Sequence, residues 1–100
     1  MAKEVVVTPT AAINYENITD YLMVKWGISV TNNFIDRFDQ VLILLSENPG
    51  MFPFVDKAKQ VQKCLLTKHN ILYFKETVDS IRILTIFDTR QNPEKLNIVF

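Results

Sequence analysis

The second half of the chain carries cationic side chains that could bind or act on an anion, above all Lys63, Lys68, His69, Arg82 and Arg90. Arginine presents a planar fork of donors that matches a carboxylate or a phosphate, whereas lysine is a point charge. The single histidine has an unperturbed pKa suited to a general base near neutral pH. We therefore take Arg90, Lys63 and His69 as candidates for catalysis, and Arg90, Arg82, Lys63 and Lys68 as candidates for binding a target.

Each of these cations also has an ordinary structural interpretation. Arg90 follows a predicted strand and could pair with Asp88 or Asp79, and Arg82 could pair with Glu76. Neighbouring strands can bring side chains within reach of one another, so the two lysines and the histidine could form a basic edge with Arg90. The sequence leaves both interpretations open.

Composition excludes several classes of function. Lys+Arg and Asp+Glu balance at 11 each, so the chain as a whole carries no strong field to hold a polyanion, which disfavours general nucleic-acid binding but leaves a local basic patch open. Cys64 is the only cysteine, and a metal site would need ligands at spacings the chain does not supply. We expect no metal and no cofactor, and a reducing, cytoplasmic setting. No signal peptide or membrane-length apolar run is apparent, so no membrane association is predicted.

Two helices should precede the strands that carry these cations. Thr8-Pro9 is typical of a helix start, and apolar residues recur at steps of three and four along the helix that follows and along a second one. Gly27 should end the first helix and Ser29 should cap the second. The short connection predicts an antiparallel helical hairpin. The apolar positions are Ala11, Tyr15, Ile18, Leu22 and Trp26 in the first helix, and Val30, Phe34, Phe38, Val41 and Leu45 in the second.

Strands are predicted at residues 3–7, 61–67, 69–76 and 80–88, with a hairpin turn at 77–80. On the last strand we expect Ile81, Ile83, Thr85 and Phe87 to share one face. This order of elements predicts one α+β domain spanning residues 1–100. It has an N-terminal strand, an antiparallel helical hairpin and a three-stranded antiparallel meander, with the helices packed on one sheet face. The opposite face, left open, is the expected location of the arginines.

Two apolar segments could contact a partner protein. Residues 51–55 form an apolar loop whose Phe52 and Phe54 could anchor a partner, or could fold back to close the core. The last residues alternate weakly, and Leu96 and Ile98 could form an edge strand or a partner-binding segment.

Four segments together resemble the RelE/ParE toxin superfamily of type II toxin–antitoxin systems, over residues 5 to 93. They are Trp26-Gly27, Asn48-Pro49, the stretch from Thr67 to Tyr73, and the stretch from Ile86 to Pro93. Ribonuclease members of this superfamily use a basic sheet face to position messenger RNA on the ribosome. Aligned on Tyr73, Arg90 falls on the family's strand-end arginine and Lys63 on one of its strand lysines. Asn70 falls where those ribonucleases have a second arginine, and Leu96 where they have a reactive-site tyrosine.

These departures favour the ParE-like branch, whose best-known members inhibit DNA gyrase. The resemblance then implies a growth-inhibiting toxin of the kind used in plasmid stabilization, which binds a protein machine and is neutralised by a cognate antitoxin. Phe52, Phe54, Leu96 and Ile98 are our candidate antitoxin contacts. Whether the chain is an enzyme stays open. The alternatives are a ribosome-dependent messenger RNA endonuclease using Arg90, Lys63 and His69, and a decayed toxin that only binds its antitoxin.

Overall fold

The computed structural model describes residues 2–90, which form an α+β arrangement with one mixed sheet. The sheet has the order β1-β5-β4-β3-β2, in which β1 runs parallel to β5 and the other neighbours are antiparallel. The expected α+β fold is therefore confirmed, with β5 inside the sheet. In chain order the elements are β1 (Glu4–Val7), α1 (Pro9–Trp26), α2 (Ile28–Glu47), a short 3-10 helix (Pro49–Met51), β2 (Phe54–Asp56), β3 (Val61–Thr67), β4 (Asn70–Glu76) and β5 (Ser80–Asp88).

Helix α1 begins where the sequence predicts. The Thr8 hydroxyl accepts a hydrogen bond from the Ala11 N–H, and Pro9 occupies the first helical position, where its missing N–H costs nothing. Ala11 is buried, and Tyr15, Ile18 and Leu22 pack against the core as expected. Trp26 departs from the predicted face: it is 62% exposed and lines a surface groove instead.

The two helices are joined by Gly27 alone. Its φ of 87° and ψ of −174° lie in a region that is essentially restricted to glycine. Gly27 ends α1 and also caps α2, so the prediction that Ser29 caps the second helix is wrong. The Thr31 hydroxyl donates to the Gly27 carbonyl at 2.9 Å, which anchors the first turn of α2.

Helix α2 supplies most of the helical side of the core. Its residues Phe34, Phe38, Val41 and Leu45 are buried, as their spacing predicts, whereas Val30 is exposed. The Tyr15 ring lies 4.6 Å from the Phe38 ring, centroid to centroid, and joins the helices. On the sheet side the core is completed by Cys64, Leu66, Leu72, Phe74, Ile81, Ile83 and Ile86.

Strand β2 was not predicted from the sequence. It spans three residues with no alternation of buried and exposed positions, so it gives no period-two signal, and it pairs with the start of β3. The meander therefore has four strands instead of the expected three. β2 lies at the sheet edge and overlaps the apolar segment 51–55, for which the sequence predicts a loop.

A β-bulge interrupts β5. Tyr73 of β4 lies opposite Thr85, but the next residue, Phe74, lies opposite Ile83, so Leu84 is the extra residue. The strand alternation reverses at this point. The prediction that Ile81, Ile83, Thr85 and Phe87 share one face is consequently wrong beyond Ile83.

Side chains from α1 hold the bulge in place. The Asn14 side-chain oxygen accepts hydrogen bonds from the Thr85 hydroxyl at 2.7 Å and from the Ile86 N–H at 3.0 Å. The Thr8 hydroxyl donates to the Ile83 carbonyl at 2.7 Å. Because of the bulge, Ile86 and the residue two positions later, Asp88, face the helices. A break in strand regularity thus determines which groups reach the surface beside α1.

Candidate functional site

A groove runs between the helical hairpin and the adjoining ends of β4 and β5. It consists of two cavities of about 400 and 380 Å³ that share Tyr21, Leu22, Asn70 and Arg90. One end adds amide, aliphatic and carboxylate side chains, and the other adds mostly aromatic, aliphatic and basic side chains. The full lining is Asn14, Asn17, Ile18, Tyr21, Leu22, Trp26, Val30, Asn33, Phe34, Thr67, Lys68, His69, Asn70, Ile86, Asp88 and Arg90.

Arg90 lies where the two cavities meet, and its guanidinium is paired with Asp88. The Arg90 Nε donates to Asp88 Oδ1 at 2.9 Å, and Nη2 donates to Oδ2 at 2.7 Å. The Arg90 backbone N–H donates to Asp88 Oδ1 as well. Of the two partners weighed from the sequence, Asp88 is the one observed. This bidentate arrangement is the geometry in which arginine binds any carboxylate.

The electrostatics of the groove follow from this pair. The hydrogen bond from Arg90 is the main cause that lowers the pKa of Asp88, and the nearby charge of His69 adds a smaller effect. In return Asp88 raises the pKa of Arg90, with a smaller contribution from Tyr21. Both partners are therefore ionised at neutral pH.

The β3–β4 turn carries Lys68 and His69 to the same groove. The backbone N–H of Thr89 donates to the His69 carbonyl at 2.9 Å, which ties the end of β5 to this turn. Asn70, which stands where the ribonucleases have a second arginine, accepts a hydrogen bond from the Thr67 hydroxyl at 2.6 Å. The turn thus brings Lys68 and His69 to the groove that Arg90 also lines.

The structure does not bring the remaining predicted cations to this groove. Cys64 points into the core, so its neighbour Lys63 lies on the opposite sheet face, paired in register with Tyr73. Arg82, between Ile81 and Ile83, lies on that same face, opposite Lys75 of β4. The proposed basic edge is therefore divided between two faces.

The expected partner of Arg82, Glu76, is taken by another cation. Its carboxylate pairs with Lys3 at 2.8 Å. The open sheet face is also largely apolar near its centre, where Tyr73, Phe87 and Val61 form a second small cluster. Burial there raises the pKa of Tyr73. The arginine that reaches a cavity is thus Arg90, on the helix side of the sheet.

The candidate antitoxin contacts separate into different environments. Phe52 folds back against the core, with its ring edge-on to Phe74 at a centroid distance of 5.9 Å. Phe54 on β2 is exposed, together with Met51 and Val55. Leu96 and Ile98 lie outside the described residues.

Within residues 2–90, no cluster of three or more His, Cys, Asp or Glu side chains could hold a metal ion. Cys64 is buried, and burial raises the pKa of its thiol. No helix in that part of the chain is both long enough and apolar enough to cross a membrane.

Comparison with known proteins finds similarity to solved structures. No family model and no curated protein matches the chain. A solved structure described as "Chromosomal ParDE TA system from P. aeruginosa" superimposes with a TM-score of 0.73. The two chains share this fold. The match covers 87% of this chain and 96% of that chain at 17% identity, so it establishes the fold alone, which agrees with the fold expected from the sequence.

Sequence reasoning missed several members of the groove. Tyr21 and Asn14 were not selected, because the bulge that turns β5 toward them gives no periodic signal. Trp26 was assigned to the core because it continues the apolar spacing of α1. The Asp-Thr-Arg spacing at 88–90 was the available signal for Asp88, since an acid two residues before an arginine can reach its guanidinium.

Proposed function

We propose that this chain is the toxin component of a type II toxin–antitoxin pair, a ParE-like growth inhibitor that acts by binding and is neutralised by a cognate antitoxin. The fold carries the proposal, because the shared architecture covers nearly all of a chain from a ParDE toxin–antitoxin system. The motif resemblance at Thr67–Tyr73 and at the strand-ending Arg90 supports it independently.

The state of Arg90 favours binding over catalysis. Phosphoryl transfer depends on preorganised charges that converge on the reacting phosphate. Here two of the guanidinium N–H groups are already engaged by Asp88, and Lys63 and Arg82 lie on the other sheet face. A site that acts by occupying a protein surface needs no such convergence.

One observation keeps a messenger RNA endonuclease as the second candidate. Lys68, His69 and Arg90 line one groove, so a phosphate could meet three cationic or titratable groups there. For this function Arg90 would have to leave Asp88 when RNA binds. A decayed toxin, which keeps the fold and the antitoxin contact alone, is the third possibility.

The partners follow from the proposal. The antitoxin would bind the toxin, with Phe54 of the exposed β2 edge as one contact, alongside Leu96 and Ile98. The target would be DNA gyrase for the ParE-like mode, or the ribosome with its messenger RNA for the RelE-like mode. Both targets would place the protein in the cytoplasm.

Growth after induction tests the toxin proposal. Expression without antitoxin should stop growth, and Arg90→Ala should weaken the arrest, because it alters the groove. Arg82→Ala is the matched control, since it removes an arginine from the opposite face, and it should arrest growth like the unchanged chain. Continued growth of cells that contain the folded, unchanged protein would refute the toxin proposal in favour of a decayed toxin.

A further inference from the structure

The Asp88–Arg90 pair has an unusual position for a surface ion pair. It stands at the junction of the two cavities of the groove, and the arginine side chain is 53% exposed. The two residues are only two positions apart, so their pairing does not itself join two elements, and the Arg90 guanidinium also interacts with Tyr21 of α1. The Asp88 carboxylate therefore occupies the Nε and Nη2 donors of an arginine that lines the groove.

We propose that the Asp88 carboxylate occupies the position on Arg90 that an acidic side chain of a protein partner would bind. By competing for Arg90, Asp88 lowers the affinity of the groove for that partner. The inference depends on the proposed function only for the identity of that partner. The competition itself follows from the geometry at Arg90.

Asp88 can be displaced at low cost. The pair lies at the surface, with the Arg90 side chain 53% and the Asp88 side chain 25% exposed, and surface ion pairs contribute little to stability because water screens their attraction. A partner carboxylate would make the same two hydrogen bonds that Asp88 makes now. Lys68 and His69 lie in the same groove, where the Lys68 ammonium and the His69 ring N–H could meet a second acidic group.

The surroundings favour a peptide over a nucleic acid. The site already displays carboxylate geometry, and the balanced charge of the chain supplies no general attraction for a phosphate backbone. Beside the pair, the groove presents the amides of Asn14 and Asn17, which suit peptide groups, and the apolar wall of Val30 and Phe34, which suits side chains. An acidic segment with intervening apolar residues is the occupant that fits.

The test uses the full chain, with Asp88→Asn as the variant and Asp79→Asn as its matched control. Asp79 lies in the β4–β5 turn, so its replacement changes the net charge equally without touching the groove. The probe is a labelled deca-glutamate peptide followed by fluorescence anisotropy. The emission of Trp26, the only tryptophan and a groove residue, reports binding at this place.

Asp88→Asn should bind the peptide about two- to fivefold more tightly than the unchanged chain, the range expected when an exposed ion pair is removed. Asp79→Asn should show no more than the general effect of one lost negative charge. The double variant Asp88→Asn with Arg90→Gln should lose this gain in peptide affinity. An equal gain in both single variants, or no gain in Asp88→Asn, would overturn the proposal.

A second arm separates the two kinds of anion. A ten-nucleotide RNA should gain less from Asp88→Asn than the peptide does, and a larger gain for RNA would overturn the assignment to a peptide. If Asp88→Asn does not fold, the Arg90 Nε–H resonance of the unchanged chain should shift during the peptide titration, and a fixed resonance would refute the competition. Growth arrest by the unchanged chain without a gain in peptide affinity for Asp88→Asn would overturn this inference alone. A gain in peptide affinity without growth arrest would overturn only the proposed toxin function.

Discussion

Replacing Asn14 with alanine tests how the groove is built. The Asn14 oxygen accepts two hydrogen bonds at the β5 bulge, from the Thr85 hydroxyl and from the Ile86 N–H. Both donor residues are buried, at 4% exposure each. Alanine leaves these donors without the acceptor that the fold provides, so the bulge should lose its main support from the middle of α1.

The magnitude follows from the two lost bonds. A buried donor left unsatisfied costs about 1–3 kcal/mol, so two of them, partly relieved by relaxation, should lower the free energy of unfolding by about 2–4 kcal/mol. For a chain of this length each kcal/mol shifts the melting temperature by about 4–8 °C. We therefore expect Asn14→Ala to melt about 8–30 °C below the unchanged protein.

Thermal and urea unfolding followed by circular dichroism would measure this loss. Asn17→Ala is the matched control, because Asn17 is an exposed asparagine one helical turn away that lines the same groove; its change should stay within about 0.5 kcal/mol. Asn14→Asp retains an acceptor oxygen, so its free energy of unfolding should fall less than that of Asn14→Ala. Equal losses for the two alanine variants would refute the role assigned to Asn14.

Three further predictions follow from local geometry. The hydrogen bond from Arg90 lowers the pKa of Asp88, so the stabilisation by Asp88 is present above its unfolded pKa of about 4 and is lost as the pH falls through the lower folded pKa. Asp88→Asn lacks this pH dependence. When both proteins are normalised to their stability at neutral pH, acid unfolding should therefore start at higher pH for the unchanged chain than for Asp88→Asn. Burial and a raised pKa should make Cys64 react with a thiol reagent much more slowly in the folded protein than in urea, and equal rates would contradict its packing. Gly27→Ala should lower the free energy of unfolding by about 1–3 kcal/mol, because alanine is strained at the positive φ of Gly27. The control Gly50→Ala should change this free energy little. Similar losses for the two variants in urea unfolding would count against backbone strain as the cause.

Much of the fold could be predicted because its signals are local and repeated. The spacing of Phe34, Phe38, Val41 and Leu45 specified the buried face of α2, and the predicted hairpin turn is closed by a hydrogen bond from the Thr77 N–H to the Ser80 carbonyl. Strand β2 could not be predicted in the same way, because three residues carry no period. Gly27 was expected to end a helix, but a single residue that ends one helix and starts the next depends on tertiary packing.

The candidate site was harder to predict, since it depends on one inserted residue. Strict alternation along β5 would place Arg82 and Asp88 on one face, but Leu84 reverses that order and turns Asp88 toward α1. Arg90 could nevertheless be selected as a candidate, because its place after the last strand does not depend on alternation. Its pairing with Asp88 was among the possibilities, and the groove around it required the three-dimensional arrangement of α1 and the β3–β4 turn.

Mapping messenger RNA 5′ ends by primer extension after induction without antitoxin tests the central claim most directly, with a DNA-damage reporter and growth followed in the same cultures. A ParE-like toxin that acts by binding should stop growth and activate the reporter without creating new 5′ ends. New codon-linked 5′ ends that disappear with Arg90→Ala would contradict this account and identify a ribosome-dependent endonuclease.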